Sequence, residues 1–352
     1  MSPGWQFWID RGGTFTDVIG ASPDGQLHVR KVLSQSGGVE DPGMRGARDI
    51  LSTSTDTVGT VKVGTTVATN ALLERKGEPV LLVTTRGFGD GLRIGYQNRP
   101  DIFARHLVLS DRLYSSIIEA SERIDSVGTT LTPLDGTNLR KALLEARSAG
   151  LKTVAIVFLH GWKFPQHERE AAAIAREVGF EEVSVSHELS PLVRYVARGD
   201  TTVLNAYLAL PLRKYVSGLQ RELRNLDAGA RLELMQSNGG LAAADNFHAM
   251  SSILSGPAGG LIGMQWIGNQ LGTRKLVGFD MGGTSTDVSL LDGELPRRFE
   301  HVIAGVRLQS PMLDVHTIAA GGGSILHFAD GRFAAGPDSA GADPGPASYG
   351  RE

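Results

Sequence analysis

The sequence predicts an α/β fold built from two related lobes that face each other across a cleft. Three observations predict it: a Gly-rich pattern occurs twice at an offset of 270 residues, β-prone runs surround each copy, and strand patterns alternate with helix patterns between the copies. A period of this length is too long for a solenoid, so it indicates two lobes. The length of 352 residues agrees, because about 150 residues per domain gives roughly two domains.

The composition is that of an ordinary globular chain, with 41% hydrophobic and 21% charged residues. The net charge of −3 gives no basic excess for nucleic acid or an anionic membrane. The absence of cysteine excludes disulfides, thiolate metal sites and cysteine nucleophiles. No apolar run reaches the roughly 18 residues of a membrane span, and the N-terminus lacks the features of a signal peptide. We therefore expect a cytoplasmic protein.

The repeated pattern runs from Asp10 to Val18 and again from Asp280 to Val288, with seven of nine positions identical. Each copy follows a short apolar run and precedes an Asp-Gly pair, Asp24-Gly25 or Asp292-Gly293. Asp-Gly between β-prone runs is a hairpin signal. Both copies therefore predict a strand, a Gly-rich turn, a second strand, an Asp-Gly turn and a third strand.

The residue types in these turns suit phosphate and Mg²⁺. Consecutive glycines let the backbone approach an oxyanion and present successive N–H groups, and threonine hydroxyls add donors. A carboxylate at the strand end can hold the water ligands of Mg²⁺, and a plain bend would not need the acids and threonines to repeat. The predicted binding residues are Gly12, Gly13, Thr14, Thr16, Gly282, Gly283, Thr284 and Thr286, with Asp10 and Asp280 at the metal.

Strand patterns at 61–63, 79–84, 153–159 and 232–235 alternate with helix patterns at 71–76, 137–149 and 201–226. Such alternation is typical of a sheet covered by helices. We expect the last helix to be interrupted or kinked near Pro211. Thr65 and Thr66, at the end of the first of these strands, either contact phosphate or substrate or cap the following helix.

Further glycine clusters lie in the second half. Ser255 is expected to cap a helix reaching about Gly268, whose glycines serve close packing or a ligand. The turn at 321–324 is interpreted as the second-lobe counterpart of the Gly64–Thr66 turn, which adds Gly322 and Gly323 to the binding residues. The tail at 336–352 is expected to be an irregular loop.

Other catalytic motifs are weak or absent. The adjacent pair His167-Glu168 is interpreted as a solvated helix start rather than a pair of metal ligands. No H-E-x-x-H spacing supports a zinc hydrolase, and no Walker-type motif is present. The absence of G-x-S-x-G argues against an α/β-hydrolase.

Seven segments resemble, in the same order, the N-terminal part of the hydantoinase A / 5-oxoprolinase family. The family belongs to the actin-like ATPase superfamily, so the resemblance implies two ribonuclease-H-like lobes around a nucleotide cleft, with the repeated turns as phosphate-1-like and phosphate-2-like loops. The segments are DRGGTFTD at 10–17, VGTTVATNALLERKG at 63–77, SNGG at 237–240, LSGPAGG at 254–260, FDMGGTSTD at 279–287, AAGGGS at 319–324 and SAGADPGPASYG at 339–350.

The chain departs from this family pattern in two ways. Ser348 stands where members usually carry cysteine, and the later AFGGAG-like segment, which resembles the superfamily's adenosine motif, is absent. We therefore expect a truncated chain with an incomplete second lobe. We place the first lobe at 1–200 and the start of the second at 201–352, with 200–275 left open.

The resemblance implies ATP-dependent and Mg²⁺-dependent opening of a cyclic amide through a phosphorylated amide intermediate. The reaction would convert 5-oxoproline to glutamate or a hydantoin to an N-carbamoyl amino acid. The carboxylates assigned to the chemistry are Asp10, Asp17, Asp280 and Asp287, of which Asp17 and Asp287 either orient a nucleophile or brace the turns. The substrate-side candidates are Thr65, Thr66 and Asn70.

A B-type hydantoinase subunit or domain is the partner that the resemblance implies, within an oligomer. Three alternatives stay open: an ATP-dependent carboxylase subunit, a small-molecule kinase of the same fold, and a non-catalytic fragment. A kinase would release a phosphorylated product, whereas the amide hydrolase would release free phosphate.

Overall fold

A computed structural model of the chain describes residues 4–350 except 35–39, 53, 98–102, 104, 107–108, 110–111, 330 and 342–344, so part of the last family segment lies outside the described residues. Within them the helices are α1 (Pro42–Leu51), α2 (Val67–Leu73), α3 (Gly91–Ile94), α4 (Gly136–Ser148), α5 (Gln166–Val178), α6 (Ser186–Leu189), α7 (Tyr195–Leu226) and α8 (Ser255–Leu271). The strands are β1 (Trp5–Arg11), β2 (Phe15–Ala21), β3 (Leu27–Leu33), β4 (Val58–Thr65), β5 (Val80–Thr85), β6 (Tyr114–Ala120), β7 (Arg123–Ile124), β8 (Thr130–Thr132), β9 (Thr153–Val157), β10 (Glu182–Val185), β11 (Arg231–Met235), β12 (Leu241–Ala243), β13 (Lys275–Met281), β14 (Thr286–Asp292), β15 (Arg297–Ile303), β16 (Val306–Leu313), β17 (Val315–Ile318), β18 (Ser324–Ala329) and β19 (Arg332–Ser339). This succession confirms the α/β class.

The first sheet has the strand order β12-β11-β4-β1-β2-β3. β1 pairs antiparallel with β2 and, on its other side, parallel with β4, which places Asp10 beside Gly64. Alternation along β1 buries Trp5, Phe7 and Ile9 in the core. The first predicted hairpin is therefore confirmed, and the carboxyl ends of β1 and β4 meet at one edge.

The second sheet, β10-β9-β5-β6, is entirely parallel. Its central strands β5 and β9 are buried along their whole length, as expected for a parallel sheet covered on both faces. Helices α4 and α5 pack together on one side, and α7 packs against β9 and β10. The predicted βα alternation is thus correct for this part of the chain.

Helix α7 runs through Pro211 without interruption, so the expected interruption is wrong, while a kink at this point stays a prediction. Proline lacks the N–H that would bond the carbonyl four residues earlier. Here that carbonyl, on Tyr207, accepts a hydrogen bond of 3.0 Å from the backbone N–H of Glu78. A partner from outside the helix therefore satisfies the freed group.

The second copy of the repeat forms the antiparallel pair β13 and β14, but its third strand differs from the prediction. β15, which follows the Asp-Gly turn, pairs with β16 to form a separate hairpin, and β17 takes the place beside β14. The insertion of this hairpin delays the third strand of the sheet until residue 315. The sheet order β13-β14-β17 thus repeats β1-β2-β3.

The proposed equivalence between the 321–324 turn and the Gly64–Thr66 turn is wrong. β4 is the parallel neighbour of β1, whereas β17 is the antiparallel neighbour of β14 and so corresponds to β3. The turn after β17 is therefore equivalent to the segment that begins at Ser34. The tail also differs from the predicted loop, because β19 extends to Ser339.

The lobe boundary near residue 200 stays a prediction. β11 and β12 hydrogen-bond into the sheet that contains β1, with Arg231–Leu234 beside 60–63 of β4. Residues 231–243 thus belong to the first sheet by pairing, within the range left open at the sequence level.

The β15–β16 hairpin crosses from the second copy of the repeat to the first lobe. It packs along α7, where the backbone N–H of Gln309 donates to Thr201 Oγ1 at 2.8 Å. Arg307 Nε donates to Asp200 Oδ2 at 2.6 Å, and Arg75 donates to the carbonyl of Ala304 at 2.8 Å. The hairpin therefore attaches the later part of the chain to the helix that separates the two sheets.

Large apolar side chains are exposed on the later strands. Exposed patches of this kind are typical of surfaces that another protein segment covers. They include Val277, Phe279, Leu290, Phe299, Val302, Leu326, Phe328 and Phe333. No helix in the described part of the chain is long and apolar enough to cross a bilayer.

The expectation that His167-Glu168 forms a solvated helix start is wrong. Both side chains are buried, and they do not pair with each other. His167 Nδ1 lies 2.8 Å from Glu122 Oε2, and Glu168 Oε1 lies 3.4 Å from Arg198 Nη1. The burial arises because α5 packs against β9 and β10. The many charged residues of α5 gave no sign of it in the sequence.

Two glycines of α7 give a matched test of its packing. A Cβ at Gly199 would lie 2.5 Å from Leu92 Cδ2, whereas one at Gly218 would meet no atom within 4 Å. The gain in helix propensity, about 1 kcal/mol, is shared by both changes to alanine. We expect Gly199→Ala to be less stable than Gly218→Ala by about 1–3 kcal/mol in urea unfolding. Equal stability would contradict the contact between α3 and α7.

Candidate functional site

The two Gly-rich turns lie against each other. A Cβ at Gly283 would lie 3.0 Å from the hydroxyl oxygen of Thr14, which belongs to the other turn. The turns close alike: the N–H of Gly12 donates to the carbonyl of Phe15 at 3.1 Å, and the N–H of Gly282 donates to that of Ser285 at 2.9 Å. The repeat thus produces two matched turns that face one another, as the offset predicted.

Four backbone amides in these turns are available to a ligand. Within the described residues, the N–H groups of Gly13, Thr14, Gly283 and Thr284 have no hydrogen-bond partner. Successive free amides of this kind form an anion-binding concavity. The pair of turns can therefore present donors to one polyphosphate from two sides.

Carboxylates surround the turns. Burial, followed by the neighbouring charges of Asp17 and Asp280, raises the pKa of Asp10. The surface of Asp10 as a whole is nevertheless exposed, so solvent moderates this effect. Burial also raises the pKa of Asp287, with a contribution from Asp280. The ionised forms of Asp10 and Asp287 are therefore destabilised, and a cation bound beside them would stabilise their negative charge.

Asp17 and Asp287 occupy equivalent positions and are each held by a neighbouring strand. Both oxygens of Asp17 accept hydrogen bonds of 2.8 Å from Lys31 Nζ. Asp287 Oδ1 accepts one of 2.6 Å from the hydroxyl of Thr317. These contacts fix the second strand of each hairpin and favour bracing over direct chemistry.

The acidic cluster fits a cation bound largely through water. Among the described side chains, no three His, Asp or Glu groups converge closely enough to form a complete metal site. Mg²⁺ keeps several water ligands and is often held by one or two carboxylates together with phosphate oxygens. Asp10 and Asp280, at the ends of β1 and β13, supply such a pair.

The predicted donors Thr16 and Thr286 are used within the protein. Thr16 Oγ1 lies 2.9 Å from Ser34 Oγ, and Thr286 Oγ1 donates to the carbonyl of Ala320 at 2.6 Å. The N–H groups of Gly322 and Gly323 donate to the carbonyls of Gly282 and Gly283 at 2.9 and 2.7 Å. All four therefore support the turns in this structure.

The substrate-side candidates lie beside the first turn. Thr65 Oγ1 accepts from the N–H of Val67 at 3.2 Å, which is a capping role at the start of α2. Thr66 Oγ1 donates to the carbonyl of Arg11 at 3.1 Å. Asn70 Nδ2 would lie 4.0 Å from a Cβ at Gly13. Of these three side chains, Asn70 is the one placed next to the cleft.

The start of α8 is a part of the site that the sequence analysis did not assign. A Cβ at Gly64 of β4 or Gly256 of α8 would lie at the ordinary contact distance of 3.5 Å from Asp10 Oδ1, so both elements lie beside the carboxylate. The prediction that Ser255 is the N-cap of α8 is wrong, because the N-cap is Leu254, whose φ is 59°. The Ser255 hydroxyl instead donates to the carbonyl of Thr65 at 3.0 Å. The Ser-Gly pair that begins α8 was the sequence signal for this part of the site.

The repeated hairpins, the facing turns and the acidic cluster define a two-lobed protein of the actin-like ATPase class. The chain belongs to the hydantoinase/oxoprolinase family. Residues 6–179 match the hydantoinase/oxoprolinase N-terminal region, and residues 198–352 match the hydantoinase/oxoprolinase domain.

Three relatives illustrate the likeness. The 5-oxoprolinase 1 of Arabidopsis thaliana is 42% identical over 98% of this chain and 30% of its own length. Caprolactamase subunit alpha of Pseudomonas jessenii is 33% identical over 99% of this chain, and a crystal structure of that ATP-dependent caprolactamase has a TM-score of 0.82, covering 98% of this chain and 52% of its own. Nucleotide-free acetone carboxylase has a TM-score of 0.79 at 25% identity, over 96% of this chain and 51% of its own. The chain thus spans about a third to a half of these proteins.

Proposed function

We propose that the chain carries the ATP site of an enzyme that hydrolyses a cyclic amide, with 5-oxoproline as the substrate. The observation that supports this best is the pair of facing turns, whose four free amides lie beside four carboxylates. The higher identity to the 5-oxoprolinase than to the caprolactamase subunit favours the five-membered lactam.

The residues divide into two roles in this proposal. The amides of Gly13, Thr14, Gly283 and Thr284 would hold phosphate oxygens from the two lobes, while Asp10 and Asp280 would hold Mg²⁺, which would neutralise phosphate charge. ATP bound there would supply the phosphoryl group that turns the lactam oxygen into a phosphate leaving group. Positioning and charge neutralisation are the main demands of such a transfer, and the turns and carboxylates provide both.

Further roles follow from position. Asn70, beside Gly13, is the best placed of the three substrate-side candidates to contact the lactam, and Thr65 and Thr66 support the turn that carries it. Asp17 and Asp287 brace the hairpins. A B-type subunit or domain completes the enzyme within an oligomer, as the subunit name of the caprolactamase relative suggests, and we propose a cytoplasmic location.

The test follows the fate of the lactam oxygen. In the enzyme assembly that contains this chain, ATP, Mg²⁺ and 5-oxoproline labelled with ¹⁸O at the amide carbonyl should yield glutamate and phosphate in equal amounts. The label should appear in the phosphate: one water adds to the phosphorylated lactam carbon, the ring C–N bond then breaks to leave an acyl phosphate, and a second water attacks the acyl carbon and breaks its C–O bond to phosphate. Glutamate formed without ATP, or phosphate free of label, would contradict the proposal.

A second candidate, a subunit of an ATP-dependent carboxylase, is favoured by the likeness to acetone carboxylase. It differs in its requirement for bicarbonate. Incorporation of ¹⁴C-bicarbonate into an acid-stable product, with no turnover of 5-oxoproline, would select this candidate.

A further inference from the structure

A second cleft lies between the first lobe and the tip of the β15–β16 hairpin. It is a shallow depression that opens to solvent and contains none of the residues of the Gly-rich turns. Apolar side chains form part of its wall. The polar lining residues are Arg93 of α3, Arg112 and Tyr114 at the start of β6, Asp200 of α7 and Arg307 of β16.

The charges of this cleft do not balance. Asp200 accepts a hydrogen bond of 2.6 Å from Arg307 Nε, so one carboxylate and one guanidinium compensate each other. Within the described ranges, Arg93 and Arg112 form no ion pair. Two positive charges are therefore left to face the cleft.

A buried hydroxyl adds a second observation. The side chain of Tyr114 is only 7% exposed, and its hydroxyl has no well-aligned hydrogen-bond partner among the described residues. The Arg112 guanidinium lies 5.7 Å from the centre of the Tyr114 ring, so the cation and the hydroxyl line the same part of the cleft. Buried polar groups are almost always paired, so this hydroxyl is a donor that a ligand in the cleft could use.

The opposite wall is fixed in place. The Arg307 guanidinium lies 5.2 Å from the ring centre of Tyr96, and a Cβ at Gly95 would lie 2.7 Å from Arg307 Nη2. Gly95 has φ of 57°, a conformation that favours glycine, and its lack of a Cβ makes room for the guanidinium. Arg307, which is paired with Asp200, is thus a fixed part of the wall.

We propose that this cleft binds a small carboxylate or phosphate anion, held by Arg93 and Arg112, with the Tyr114 hydroxyl as a further donor. Guanidinium groups match both kinds of anion in geometry. The apolar part of the wall accommodates the carbon skeleton of a carboxylate ligand.

Calorimetry with inorganic phosphate, glutamate and 5-oxoproline tests the proposal and separates the two anion classes. At least one of them should bind, and Arg93→Ala/Arg112→Ala should weaken that binding about tenfold or more. Both arginines are exposed, so the variant is expected to fold. Arg176→Ala, at an exposed position of α5, is the matched control and should bind as the parent chain does.

Tyr114→Phe distinguishes a binding role from a structural one. It should weaken the same anion while raising Tm, because it removes a buried hydroxyl without a partner. The proposal would be overturned if none of the three anions bound, or if binding were unchanged in both the double variant and Tyr114→Phe.

Discussion

Replacement of Glu168 by leucine should destabilise the protein by about 3–5 kcal/mol, the expected cost of leaving a buried charge without its partner. Glu168 and Arg198 are both 0% exposed. Without the carboxylate, Arg198 would face a low-dielectric interior with only neutral acceptors. The groups that would also lose an acceptor are the N–H of Phe158 at 2.8 Å, the N–H and ring of His187 at 3.0 and 2.7 Å, and the Ser186 hydroxyl.

Urea unfolding of Glu168→Leu and Glu170→Leu measures this effect, since Glu170 is an exposed position two residues along the same helix. The double variant Glu168→Leu/Arg198→Met should recover part of the loss, because removing both charges of a buried pair costs less than removing one. A loss in Glu168→Leu no larger than in the Glu170 control would show that the network adds no stability.

Replacement of Asp10 by asparagine should lower ATP-dependent opening of 5-oxoproline by about 100-fold or more in the complete enzyme, in line with the loss of one preorganised electrostatic group. The fold should persist, and its stability at neutral pH should rise. The folded pKa of Asp10 lies above its unfolded value, so ionised Asp10 lowers the free energy of unfolding at pH values above that folded pKa. Asparagine removes this charge.

The opposite signs of the two effects make this prediction specific, because a variant that misfolds would lose both activity and stability. Phosphate release and thermal unfolding of Asp10→Asn are the measurements. Asp24→Asn, in the Asp-Gly turn of the same hairpin, is the control and should keep its activity. Full activity in Asp10→Asn would remove Asp10 from the site and weaken the proposed function.

The hairpins of the repeat were predictable because their signals are local. Paired glycines with acids and threonines at fixed spacing specify a turn, and alternating apolar residues specify the strands beside it. The buried strands β5 and β9 were predictable for a similar reason, since each is a short apolar run next to a helix pattern. The offset between the copies then indicated that the turns meet.

The misplaced features depend on contacts between distant segments. Nothing near residue 293 indicates that β15 pairs with β16 instead of β14, because pairing is decided by which strand reaches the sheet edge. Glu168 lies in a charged helix, and its burial follows from Arg198, 30 residues away. Serine is a residue type that often caps helices, but the Ser255 hydroxyl donates instead to the backbone carbonyl of Thr65 in a distant strand.

The β15–β16 hairpin also limits how the later strands can move. A body joined to another at one point can rotate about three axes, whereas a body joined at two separate points can rotate only about the line through them. β13 is joined to the first lobe through α8, which packs on β4 and β11, and the hairpin supplies a second joint on α7. Any opening of the two Gly-rich turns must therefore also displace contacts at the hairpin, among them the Arg307–Asp200 ion pair on α7.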